Sequence, residues 1–165
     1  MSDYLKKKGV DLSNINGYSI SEEAFVWLFE NLEEGKTIFE IGAGKGTKEL
    51  CKFWNVISVE SEKKYMNISD AQYIHVPLKG GKYDYDVLRK HGVPDYDLLI
   101  VDGPTGSPNR VNILDNLDLF DKDKPIIVDD THADASKQIA TKISFEFGKT
   151  ITHHKGFEKI FTTLT

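Results

Sequence analysis

Apolar residues in this chain follow two rhythms. In the first they form short runs: Thr37–Ile41, Val56–Glu60, Gln72–Val76, Leu98–Asp102 and Pro125–Asp129, the last two almost unbroken. Such runs suit strands buried on both faces of a parallel sheet. In the second rhythm they recur every three or four residues, as in Phe25, Leu28, Phe29 and Leu32, or Ala135, Ile139, Ile143 and Phe147. That spacing marks one apolar face of a helix. A further helix is predicted over Asn109–Leu119, where Ile113, Leu114 and Leu117 keep the period, and shorter ones over Lys48–Phe53, Lys63–Ile68 and Tyr85–Lys90. Ser19 or Ser21 suits the N-cap of the helix that contains Phe25, and Gly35, Gly92 and Gly148 read as helix stops. Two β-rich runs around Gly156, Thr150–His153 and Lys159–Thr163, predict a terminal antiparallel hairpin. Residues 1–20 read as a polar lead-in, flexible or substrate-facing. Strands alternating with helices imply right-handed crossovers and a doubly wound, mostly parallel seven-stranded α/β sheet. Its ligand crevice is expected at the C-terminal strand ends, where the strand order reverses.

Composition narrows the setting. A chain of 165 residues is expected to form one domain over 1–165. A net charge of −5 argues against a nucleic-acid polyanion as partner. The cluster Lys6-Lys7-Lys8 reads as a solvated face. The one cysteine, Cys51, excludes an intramolecular disulfide and a multi-cysteine zinc site. No run approaches the roughly 20 apolar residues of a membrane span, and the N-terminus has no apolar leader, so a cytoplasmic location is expected. A homo-oligomer is compatible with these numbers.

The first strand leads into Glu40-Ile41-Gly42-Ala43-Gly44-Lys45-Gly46-Thr47. Strand, glycine turn and helix together aim backbone N–H groups at a nucleotide-like ligand. A P-loop needs Lys-Ser/Thr after its last glycine, whereas here Lys45 precedes Gly46. A G-x-G-x-x-G dinucleotide fingerprint fails at Thr47. The pattern present is E-x-G-x-G-x-G. It resembles motif I of class I S-adenosylmethionine-dependent methyltransferases. The resemblance implies that Gly42, Ala43, Gly44 and Gly46 underlie the methionine portion of the cofactor, with Glu40 facing its cationic amino end. Glu60 ends the second strand, eighteen positions after Gly42, where an acid can accept ribose hydroxyls. Pro77 and Leu78 fall where the family's adenine face lies. The competing readings are an unliganded strand-to-helix turn and a surface acid at Glu60. Glu60 serves NAD equally well. The terminal hairpin, in place of a sixth parallel strand, favours the methyltransferase.

Asp102 ends the fourth strand, and Asp129-Asp130 the fifth. Adjacent strands would bring the three acids to one rim beside the reaction centre, with Asp102 also touching the cofactor. Clustered carboxylates repel unless protonated or bridged by a cation, and an oxygen-only set suits Mg²⁺, Mn²⁺ or Ca²⁺. This resembles metal-dependent O-methyltransferases of the catechol and the macrolide and aminocoumarin sugar types, where such acids hold Mg²⁺. The plain alternative is that these acids cap the next helix. The loop Asp102-Gly103-Pro104-Thr105-Gly106 with Arg110 is similar to a segment of the glucuronoxylan 4-O-methyltransferase family, which implies a sugar or uronic acid acceptor whose carboxylate pairs with Arg110. His132 is the alternative general base. The expectation is therefore an S-adenosylmethionine-dependent O-methyltransferase for a sugar, glycan or other small polar acceptor, with or without a metal. The rivals are an NAD-linked oxidoreductase and a non-catalytic cofactor-binding module of a larger complex.

Overall fold

The computed structural model describes residues 2–15, 19–156 and 159–165. Seven strands form one sheet: β1 (Thr37–Ile41), β2 (Asn55–Glu60), β3 (Gln72–His75), β4 (Leu98–Val101), β5 (Ile126–Val128), β6 (Ile151–Lys155) and β7 (Ile160–Leu164). Their order is β3-β2-β1-β4-β5-β7-β6. All neighbours are parallel except β7, which is antiparallel to both β5 and β6. The order reverses between β1 and β4, whose register pairs Ile38 with Leu98 and Ile41 with Val101. The predicted doubly wound sheet and terminal hairpin are both present.

Alternation along the strands divides the core in two. Phe39, Ile41, Leu99, Val101, Ile126 and Val128 face one layer, while Ile38, Leu98, Ile100 and Ile127 face the other. The first layer is completed by α4 (Tyr85–His91), a 3-10 segment over Ser107–Leu119 and α5 (Asp134–Phe147). The second is completed by α1 (Ser2–Lys8), α2 (Glu22–Asn31) and α3 (Lys45–Leu50).

Local signals explain most boundaries. Ser21 caps α2, its hydroxyl accepting the Ala24 N–H at 3.2 Å. Gly148 ends α5 at φ 66°, a left-handed conformation that glycine adopts without strain. Four expectations need correction. The lead-in is ordered over its described residues: α1 buries Leu5 completely, and Val10 also enters the core. Its anchor is Glu49 of α3, a fully buried carboxylate. Glu49 accepts the Asp11 N–H at 2.8 Å, the Asn14 amide at 2.7 Å and the Lys52 ammonium at 2.6 Å. The span 109–119 forms 3-10 turns with a break at Asn116 rather than one α-helix. The span 63–68 contains only a 3-10 turn, Lys63–Tyr65. Gly35 is a turn glycine beyond the α2 C-cap, Leu32.

Candidate active site

The glycine turn and the loop after β4 meet at the point where the strand order reverses. Asp102 and Gly103 both donate N–H groups to the Ile41 carbonyl, at 3.0 and 2.6 Å. Gly42 has φ 102°, and a Cβ there would lie 2.5 Å from the Gly103 Cα. The absence of a side chain at Gly42 is thus required by the protein's own backbone. Gly46 lies inside α3, which begins three residues earlier than predicted, and its face is covered by Ser19, whose Cβ would be 2.9 Å from an added Cβ. Gly44 is the α3 N-cap, and its N–H is held by the Thr47 hydroxyl at 2.9 Å.

Glu40 differs from its expected role. It shares the inward face with Ile38 and is 3% exposed. Its Oε2 accepts the Thr47 hydroxyl at 2.8 Å and the Ser58 hydroxyl at 2.7 Å. The carboxylate ties β1, β2 and α3 together, and the oxygen expected to meet a cofactor ammonium is already engaged. Burial pushes the carboxyl up to about 7, against the pull of the two hydroxyls and with Glu60 adding to the rise.

Glu60 stands at the C-terminal end of β2, as predicted, and reaches back to the turn. Its Oε2 accepts the Ala43 N–H at 3.0 Å, while Oε1 accepts the N–H groups of Ser61 and Glu62, each at 2.6 Å. A carboxylate oxygen carries two lone pairs, so Oε2 retains capacity for one hydroxyl donor. Pro77 and Leu78 come after β3 on the same rim and are exposed. Leu78 and Lys79 pair with Lys82 and Tyr83 in a two-residue ladder.

Beside this turn, Asp102, Asp129 and Asp130 converge as predicted, with one oxygen of each within 4.8 Å of the others. What sequence reasoning missed is a cation among them. Lys159, immediately before β7, donates to Asp129 Oδ2 at 3.0 Å and to the Ser19 carbonyl at 2.9 Å. Its ammonium also lies 3.2 Å from Asp130 Oδ1. Arg110 completes the set. Its Nη2 donates to Asp130 Oδ2 at 3.1 Å and approaches Asp102 Oδ1 at 3.5 Å, and its Nε donates to the Pro104 carbonyl at 3.1 Å. Asp130 adopts φ 56°, a left-handed conformation that Asp tolerates, and its two oxygens bridge the two cations. Burial pushes the Asp102 carboxyl well above the usual range and Asp129 adds to the rise; Arg110 and Lys159 pull it back only in part.

Two expected roles change accordingly. Arg110 is 6% exposed and turned into the acids, so it does not stand free to receive an acceptor's carboxylate. His132 is exposed in the turn after β5 and makes no hydrogen bond to the acids among the described residues. A divalent cation fits this donor set poorly, because the faces of Asp129 and Asp130 that it would bridge already hold an ammonium and a guanidinium. A groove of about 930 Å³ lies between the 3-10 segment and α5 and is lined by none of these residues.

No helix among the described residues is long and apolar enough to cross a membrane. No family model matches the chain, and no curated protein matches it by sequence. Solved structures do share its fold. A methyltransferase from Pyrococcus furiosus superposes with TM-score 0.59 at 13% identity, covering 86% of this chain and 80% of that one. Fibrillarin from Aeropyrum pernix, solved with natively bound S-adenosyl-L-methionine, gives 0.58 at 14% identity, covering 91% and 76%. Magnesium protoporphyrin IX methyltransferase from Synechocystis, with S-adenosylmethionine bound, gives 0.51 at 16% identity, covering 87% and 75%. At these identities the likeness is one of fold: the chain has the Rossmann-like α/β architecture of class I methyltransferases.

Proposed function

We propose that the chain is an S-adenosylmethionine-dependent methyltransferase whose acceptor is a hydroxyl of a sugar or another small polar molecule. The observation that carries the reading is Glu60 hydrogen-bonded to the Ala43 N–H at 3.0 Å, at the strand-order reversal of a sheet with methyltransferase topology. That pairing fixes an acid and a glycine turn on one rim. Glu60 would receive a ribose hydroxyl on its remaining lone pair, and the Gly42–Gly44 backbone would line the methionine side. Pro77 and Leu78 offer apolar surface to the adenine.

When bound, the cofactor supplies a methyl group already activated on a sulfonium. The protein's part is alignment and handling of a proton. Asp102 is the best-placed group for the second task. It is the partly exposed acid nearest the turn, hydrogen-bonded through its N–H to Ile41, and burial with Asp129 beside it makes its carboxyl hold a proton more tightly than an ordinary Asp. Asp102 would take up the proton that an acceptor hydroxyl releases as its oxygen receives the methyl group. Mg²⁺, Mn²⁺ or Ca²⁺ assistance on Asp102, Asp129 and Asp130 would require displacement of Lys159.

Thermal unfolding with S-adenosylhomocysteine and, separately, with NAD(H) tests the reading. Ligand at a hundred times its dissociation constant adds about 2.7 kcal/mol. S-adenosylhomocysteine is expected to raise Tm and NAD(H) to leave it unchanged. Asp102→Ala is expected to keep that shift while losing methyl transfer. A shift with NAD(H) alone would favour the oxidoreductase instead.

A further inference from the structure

The rim holds three acids and two cations, so the cluster carries one negative charge in excess when Asp102 is ionised and is balanced when Asp102 is protonated. Asp129 is fully buried and Lys159 is 8% exposed. An ammonium has three donors, and Lys159 has three oxygens around it: Asp129 Oδ2, Asp130 Oδ1 and the Ser19 carbonyl, all within 3.2 Å. Every donor therefore has an acceptor, and the nitrogen sits among oxygens as a coordinated ion would. Removing the partner of a buried carboxylate leaves an uncompensated charge, which is strongly unfavourable. Asp129 Oδ1 and Arg110 Nη1 are buried with no hydrogen-bond partner, so the cluster has unused polar capacity that its own side chains do not fill.

We propose that Lys159 is the resident cation of this rim, occupying the place that a divalent metal would take between Asp129 and Asp130, and that the site works without a metal. This goes beyond the methyl-transfer reading and does not depend on it. A divalent ion added to the intact cluster would leave a net positive charge in a desolvated site and would confront the Lys159 ammonium at close range. With Lys159 made neutral, three carboxylates would face only Arg110, two negative charges in excess, and a hard divalent ion would balance them.

Mn²⁺ titration monitored by electron paramagnetic resonance tests this. Wild-type protein is expected to take up no Mn²⁺ up to about 1 mM, and its Tm is expected to be unmoved by Mn²⁺ or by a chelator. Lys159→Met keeps most of the length of the side chain without its charge, and is expected to bind Mn²⁺ at least about tenfold more tightly than wild type. Asp129→Asn in the Lys159→Met background is expected to remove that gain. Micromolar Mn²⁺ binding by wild-type protein, abolished by Asp129→Asn, would overturn the proposal. So would a folded Lys159→Met protein that binds Mn²⁺ no better than wild type. If Lys159→Met fails to fold, the wild-type titration decides between the two outcomes. Because the readout is Mn²⁺ uptake, it is separate from S-adenosylhomocysteine binding, and either result can fail without the other.

Discussion

Glu40 sits under the glycine turn with its carboxyl raised from 4.5 to about 7 by burial. Glu40→Gln keeps the shape and leaves a carbonyl to accept the Thr47 and Ser58 hydroxyls, but removes the titration. In the wild type the folded state retains the proton through a range in which the unfolded chain has released it. Stability is therefore fully present below about 4.5 and is lost as pH rises towards 7. A rise of that size, at 1.36 kcal/mol per pKa unit, amounts to about 3 kcal/mol. The other titrating acids of the wild type, Asp102 among them, titrate in both proteins and cancel in the difference. Urea unfolding of both proteins at a series of pH values is the assay. The wild type is expected to lose about 3 kcal/mol relative to Glu40→Gln between pH 4.5 and 7, and the difference to be flat above that. Parallel stability curves across this range would refute the assignment of Glu40 as a buried, desolvated carboxyl.

Two other perturbations probe the frame of the site. Gly42→Ala places a Cβ 2.5 Å from the Gly103 Cα at φ 102°, and is expected to lose roughly 3 kcal/mol or more in urea unfolding; undiminished stability would contradict the close approach of the two loops. Glu49→Ala removes the acceptor of Asp11, Asn14 and Lys52. It is expected to lose roughly 3 kcal/mol and to speed amide exchange over 11–15, and unchanged exchange there would mean that the lead-in is held by Leu5 and Val10 alone.

Much of the fold was legible because it depends on short-range pattern. The apolar runs of β1, β4 and β5 left no alternation to misread, and Gly148 marked the α5 stop. The acid triad was legible too, since adjacent strands bring their ends together. The counter-ions were not. Lys159 pairs with an acid thirty positions away, and alone before a β run it reads as an ordinary surface lysine. Arg110 could be placed near the acids from its loop, but whether it turned inward or outward is decided by packing. Glu40 carried a signal that was available: it shares strand parity with Ile38, not with Phe39 and Ile41, and that face is roofed by α3. The lead-in was misjudged because α1 offers only Leu5 as a fully buried anchor among lysines, and the clasp that fixes Asp11 and Asn14 belongs to Glu49.

A methyl donor is proposed to bind at the rim formed by the glycine turn and the three acids. Calorimetric titration of the intact chain with S-adenosylhomocysteine, run beside NAD(H), tests it most directly. One S-adenosylhomocysteine site per chain and no heat from NAD(H) are expected. Binding of NAD(H) in place of S-adenosylhomocysteine, or of neither, would contradict it.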